Sequence, residues 1–366
     1  MMTKKVSWCL FGFLLINNVL LNDVIASSSS DYLPGLSIAL QHETVSDTVD
    51  YSPNLQAGGF ANAVQKPRFQ SQGFSLSYSA DRYSRFHLTL AQRQMNSLRD
   101  AFVINTLSGG YKKRIRPTKT TRYELSFGVD ASINHASEIY KNSYTNYSDH
   151  LITEVRLVEP RDARVSFSAD IDMSLTDRIG LKLSIGGGLS QTSQSEVVGS
   201  ARLDNNCQFS FNASTQGGSV RQLEQCGKLV SFEQYYPSNR TLNDKLGFSV
   251  ADDVSYRDYF FGPQISLHWK KGSWSAGAGY EFRQYFRPTL DHRIRQSGDS
   301  PVSKSHSAYA RTGVRLMMNW ELSARISYQR AAFLDDIPFL YTALTHDRYR
   351  GNGVIRYAFN LTRFFN

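Results

Sequence analysis

The chain has 366 residues, 41% of them hydrophobic, with a formal net charge of +9. Its mean hydropathy of −0.38 is too polar for a bundle of membrane helices. With so basic a balance, the placement of the charges says more than their sum.

The first element is the only apolar run near spanning length. Lys4 and Lys5 precede a mostly apolar stretch over 6–21, interrupted by Asn17 and Asn18. Val24, Ile25 and Ala26 then offer a small-residue cleavage site before Ser27. This layout predicts a secretory signal peptide over 1–26, not an anchor helix, and leaves one domain over 27–366. Cys9 leaves with the signal and has no lipoprotein-like terminus after it. An exported chain does not meet nucleic acid.

From residue 35 onward the apolar residues alternate with polar ones. In the stretch 122–134, RYELSFGVDASIN, Tyr123, Leu125, Phe127, Val129, Ala131 and Ile133 fall on one face. A strand puts the intervening Glu124, Ser126, Gly128, Asp130, Ser132 and Asn134 on the other. The same period predicts twelve strands: 35–45, 73–80, 85–95, 102–115, 122–134, 164–175, 179–189, 256–270, 273–286, 306–318, 320–329 and 352–365. Most run about ten residues or more, longer than the 5–6 usual in soluble sheets and close to a tilted membrane span. No amphipathic helix is expected after the signal. The links alternate, short at 81–84, 116–121, 176–178, 271–272 and near 319, long at 46–72, 136–163, 190–255, 287–305 and 330–351. The short link at 96–100 breaks the alternation. Both termini then lie on the short-turn side.

Aromatic residues follow the same polarity. Trp269, Trp274, Trp320 and Tyr123 flank short turns, as an aromatic girdle at headgroup level would. The last strand, GVIRYAFNLTRFF, alternates Tyr357, Phe359 and Leu361 before Asn366. These features together resemble bacterial outer-membrane β-barrels. The resemblance implies an all-β fold, a transmembrane antiparallel up-and-down barrel of about 12 strands with short periplasmic turns and long extracellular loops. It further implies contact with outer-membrane lipid and lipopolysaccharide, and recognition of the last strand by the barrel-assembly machinery. A secreted soluble β-protein is the blander alternative, but it gives no reason to collect Trp at one end of its strands.

If the apolar face meets lipid, strand charges must point inward, because a midplane Lys or Arg on the lipid face costs about 2–4 kcal/mol. The inward acids are Glu124, Asp130, Asp170, Asp172, Glu281 and Glu321. The inward bases are Lys182, Lys270, Arg283, Arg311, Arg315, Arg325 and Arg356. Strands five and six oppose strands eleven and twelve in a closed ring, so an acidic wall is expected to face a basic one. Such walls either set up a transverse field across a pore for small polar or anionic solutes or pair across a narrow lumen and close it.

Gly186-Gly187-Gly188 has no Lys-Ser/Thr after it and no helix, so it is not read as a phosphate loop. The longest loop, 190–255, is expected to be a large extracellular insertion. It carries Cys207 and Cys226, which predict one disulfide, worth about 3 kcal/mol of loop entropy.

Catalysis has one faint candidate. His135 and Ser137 share the outward face at the outer end of strand five, an arrangement that resembles outer-membrane phospholipase A. The surrounding residues do not match, and strand six offers no partner Asn. The dipeptides Asp335-Asp336, Asp291-His292 and His346-Asp347 do not make the paired acids of an omptin-like protease. The eight His show no metal-ligand spacing, and no cofactor is expected. The ending 353–359 also resembles autotransporter barrels, although the few residues expected between the signal and the first strand leave no room for a passenger. The sequence thus predicts a porin-like channel, with a non-conducting solitary autotransporter-like or surface-interaction barrel as the alternative and a phospholipase-like hydrolase as a third.

Overall fold

The computed structural model describes residues 35–45, 68–96, 101–115, 122–141, 145–147, 150–203, 208–222, 233–246, 249, 253–317, 319–330, 337–345 and 353–365. The signal segment, Cys207, Cys226, Asp335, Asp336, His346 and Asp347 lie outside them.

Twelve strands form the wall of a closed barrel. They are β1 (Gly35–Val45), β2 (Arg68–Asp81), β3 (Ser84–Asn96), β4 (Ala101–Ile115) and β5 (Tyr123–Ala136), then β9 (Arg161–Ser174), β10 (Ile179–Ser193), β15 (Arg257–Lys271), β16 (Trp274–Phe286), β17 (Lys304–Met317), β18 (Trp320–Arg330) and β19 (Gly353–Phe365). Each pairs antiparallel with its neighbours, and β19 returns to β1, from Leu36 opposite Phe365 to Val45 opposite Arg356. Closure leaves the barrel without an edge strand, so each strand is paired on both sides.

All twelve strands appear where the two-residue period placed them, because that period is a direct image of the pleat. The barrel is turned inside out. Phe127 is 50% exposed on its outer face, whereas Ser126, one residue away, is 1% exposed within. Outward Leu88, Leu107, Phe167, Ile185, Ile265 and Leu322 continue this belt around the wall. Among the described residues no helix is long and apolar enough to cross a membrane.

The short turns are locally encoded. Asp81 Oδ1 accepts the Tyr83 amide at 2.6 Å, and Thr176 Oγ1 accepts the Ile179 amide at 3.0 Å. Gly272 turns between β15 and β16 at φ +61°, a left-handed conformation that a side chain disfavours.

The opposite end departs from expectation. The sequence predicts long loops over 136–163 and 190–255. These links instead supply a second, seven-stranded sheet of β6 (Glu138–Lys141), β7 (Thr145–Tyr147), β8 (His150–Val158), β11 (Glu196–Leu203), β12 (Gln208–Ser214), β13 (Gly217–Gln222) and β14 (Glu233–Tyr236). Two helices, α1 (Asn239–Leu246) and α2 (Pro288–Gln296), also occur where none was expected. Leu242 and Leu246 of α1 join Phe209, Phe211, Val197 and Leu157 of the sheet in a buried core. That core is continuous with the residues filling the barrel mouth. This end of the molecule therefore buries its apolar residues conventionally, while the wall does the reverse.

Candidate functional site: a charged lumen beneath a filled mouth

The mouth is filled by chain, not water. All residues of segment 337–345 are buried, and it packs against β9 and β10. Its backbone polar groups find fixed partners. Pro338 O accepts from the Tyr256 hydroxyl at 2.7 Å, the Ala343 amide donates to Asp253 O at 2.8 Å, and the Phe339 amide donates to Asp162 Oδ2 at 3.4 Å. Tyr341 accepts the Val302 amide at 2.7 Å, and the buried Arg287 guanidinium lies 4.4 Å from its ring centroid. Arg287 also reaches Asp291 of α2 at 3.5 Å. Burial pushes the Tyr256 hydroxyl well above its usual range, so it stays a donor. Burial likewise raises the Asp291 carboxyl, against the pull of Arg287 and Arg295.

Below the plug the lumen is lined by small polar residues and charges. Asp170 is the most heavily engaged acid. It contacts Lys112, lies 3.5 Å from Lys182, and accepts Ser126 Oγ at 3.0 Å. Asp130 meets His87 at 3.2 Å, Glu124 meets Arg114 at 3.5 Å, and Glu43 meets Arg356 at 3.3 Å. Asp172 stands between Glu124 and Lys182 in register. Glu281 pairs with Arg283 on its own strand. Arg311 and Arg325 face each other across β17 and β18, as do Arg315 and Glu321. Arg325 lies 4.0 Å from the Tyr309 ring centroid, and Arg315 5.8 Å from that of Phe364. Lys270 ends its strand beside Ser275.

The charges therefore do not sort into one acidic and one basic wall. Arg114–Glu124, Lys182–Asp170 and Arg356–Glu43 join adjacent strands, whereas His87–Asp130 and Lys112–Asp170 reach across an intervening strand. Sequence reasoning missed Lys112, Arg114, His87, Arg164 and Glu43. The signal existed, since in 102–115 the apolar Tyr111 and Ile115 share one parity and Lys112 and Arg114 the other.

Several lumen-facing polar atoms have no hydrogen-bond partner among the described residues. They include both polar atoms of the Gln41 amide and the hydroxyls of Ser71, Ser184 and Ser307. Buried polar groups of this kind are satisfied by water. Mid-lumen, a chamber of about 150 Å³ opens between Asp130, Asp170, Arg283 and Arg325, roofed by Arg164 and Phe260.

Of the aromatic residues, Trp269, Trp274, Trp320 and Tyr123 stand at the short-turn end. Tyr357 and Phe359 stand higher on the wall, opposite Thr44 and His42. His135 points outward between Asn105 and Arg161. Among the described residues no hydrogen bond joins it to Ser137.

Solved outer-membrane barrels resemble this chain distantly. The translocator domain of autotransporter NalP from Neisseria meningitidis aligns with TM-score 0.49 and 10% identity, covering 94% of this chain and 92% of that one. The β domain of the Bordetella autotransporter BrkA gives 0.43 and 10%, covering 91% and 100%. An outer-membrane channel from Pseudomonas putida F1 gives 0.42 and 11%, covering 92% and 98%. No family model matches the chain, and no curated protein does. The barrel itself rests on the chain's own closed strand pairing.

Proposed function

We propose that the chain is an outer-membrane, porin-like conduit for small polar or acidic solutes, held shut at its outer mouth by segment 337–345. The observation that carries this is the inverted wall. Apolar residues face outward, while the inward polar groups of Gln41, Ser71, Ser184 and Ser307 need water. A barrel built only as a scaffold would fill its interior with side chains that satisfy one another. In this view the belt meets outer-membrane lipid and lipopolysaccharide, and β19 is the strand the assembly machinery reads.

Planar-bilayer recording tests the proposal. The native barrel should open rarely. Phe339→Asp, which puts a charge into the buried plug, should conduct persistently, and Arg325→Ala in that background should change ion selectivity. Absence of current in both native and Phe339→Asp barrels overturns the conduit.

The seven-stranded sheet favours a second function, a non-conducting surface barrel that presents this sheet to a partner. Its outer strand β14 has no neighbour beyond β13 among the described residues. A silent bilayer from both barrels would point there.

A further inference from the structure

The mid-lumen chamber is more than a gap between paired charges. Three guanidinium groups line it, and each lies over an aromatic ring. Arg164 and Arg283 lie 4.2 and 5.5 Å from the centroid of Phe260, and Arg325 lies 4.0 Å from that of Tyr309. Cation–π attraction steadies a guanidinium over a ring, and its fork of N–H donors suits a carboxylate.

The charge balance of the chamber has the same sense. Asp130, Asp170 and Glu281 are its carboxylates. Asp130 has His87, Glu281 has Arg283, and Asp170 has both Lys112 and Lys182 beside it. The three lining carboxylates match the three lining arginines, so the surplus comes from Lys112 and Lys182, reduced by Asp172 beside Lys182, and the one positive charge left over draws anions into the chamber.

Size and lining narrow the ligand further. A cavity of about 150 Å³ is one that accepts a molecule of benzene's size. The remaining wall is Ser108, Ser132, Ser166, Ser168 and Ser184, hydroxyls suited to a ligand that carries hydroxyls itself. We propose that the chamber is a binding site for a compact hydroxylated carboxylate, held by Arg283 and Arg325 against the serine wall. This deepens the conduit proposal by naming the solute class, but binding does not itself require conduction.

Calorimetric titration of the full chain in detergent micelles, with malate as the probe, tests the site. Malate should bind saturably, and erythritol, an uncharged four-carbon counterpart, should not. Arg283→Gln and Arg325→Gln should each weaken malate by about tenfold, the loss of one bidentate charge-assisted contact. Ser184→Phe fills the chamber without altering charge and should abolish binding, which decides the matter if an arginine variant does not fold. No saturable malate binding, equal binding of erythritol, or malate binding unchanged by Ser184→Phe overturns the site. A barrel that conducts yet ignores malate removes the site and keeps the conduit. One that binds malate yet never conducts does the reverse.

Discussion

The phenolic hydroxyl of Tyr256 donates to the carbonyl oxygen of Pro338 at 2.7 Å, tying the start of β15 to the segment that fills the mouth. Both groups are buried, so neither can exchange the other for water. Tyr256→Phe keeps the ring and deletes the donor. Pro338 O keeps the Tyr341 amide at 3.0 Å, so the plug should loosen by about 0.5–1.5 kcal/mol, the net worth of one hydrogen bond. Hydrogen exchange across 337–345 should accelerate while the wall strands stay protected. An unchanged exchange rate there would mean that the hydroxyl is not a latch.

Asp170 is the acid that Lys112 and Lys182 share. Asp170→Ala leaves two inward ammonium groups without it, and breaking a buried pair in this way costs about 3–5 kcal/mol. The urea midpoint of the refolded barrel should fall sharply. Glu124→Ala, nearer the short-turn end, should cost less.

Ile185 and Ser184 are neighbours on β10 that face opposite sides of the wall, Ile185 being 48% exposed. Ile185→Arg should destabilise the barrel in lipid vesicles by about 2–4 kcal/mol, whereas Ser184→Arg, pointing into the lumen, should not incur that lipid penalty. Equal costs would mean that the belt does not meet lipid.

The cap carries a pH dependence through Asp291. Burial raises its carboxyl in the folded state, so the protonated form is favoured there. The stability tied to this group is complete below the ordinary carboxylate range and declines as pH rises through the raised folded value. After correction for intrinsic rates, α2 and segment 337–345 should exchange more slowly near pH 4 than near pH 7. Asp291→Asn should flatten the difference.

Much of the wall was legible because alternation is the strongest signal a strand can write. Tyr123 through Ile133 showed both faces, and the tryptophans supplied the polarity. What escaped was written in the same alphabet. Phe209, Phe211 and Ala213 alternate in β12, and Val197, Gly199 and Ala201 do so in β11. These strands are short and lie inside long links, so nothing in their length distinguished them from loops. The helix α1 had a start signal in Ser238, whose hydroxyl accepts the Thr241 amide at 3.4 Å. The plug had none, because the run IPFLYTALT is apolar without a period, and only packing reveals its purpose. Among the charges, parity was enough to assign direction. Pairing was not legible, because it depends on which strands touch across a gap of many residues, as β5 touches β9.

The seam between β1 and β19 has a consequence for how the molecule comes into being. β1 and β19, far apart in the sequence, pair along ten register positions. Until β19 is available, β1 has one bare edge and β18 another. No shorter chain can be a smaller version of this barrel. Completion is a single late event that joins distant parts of the sequence, so the search is slow and its intermediates are sticky. A deletion confined to the last strand should therefore unzip the entire cylinder, not shorten it.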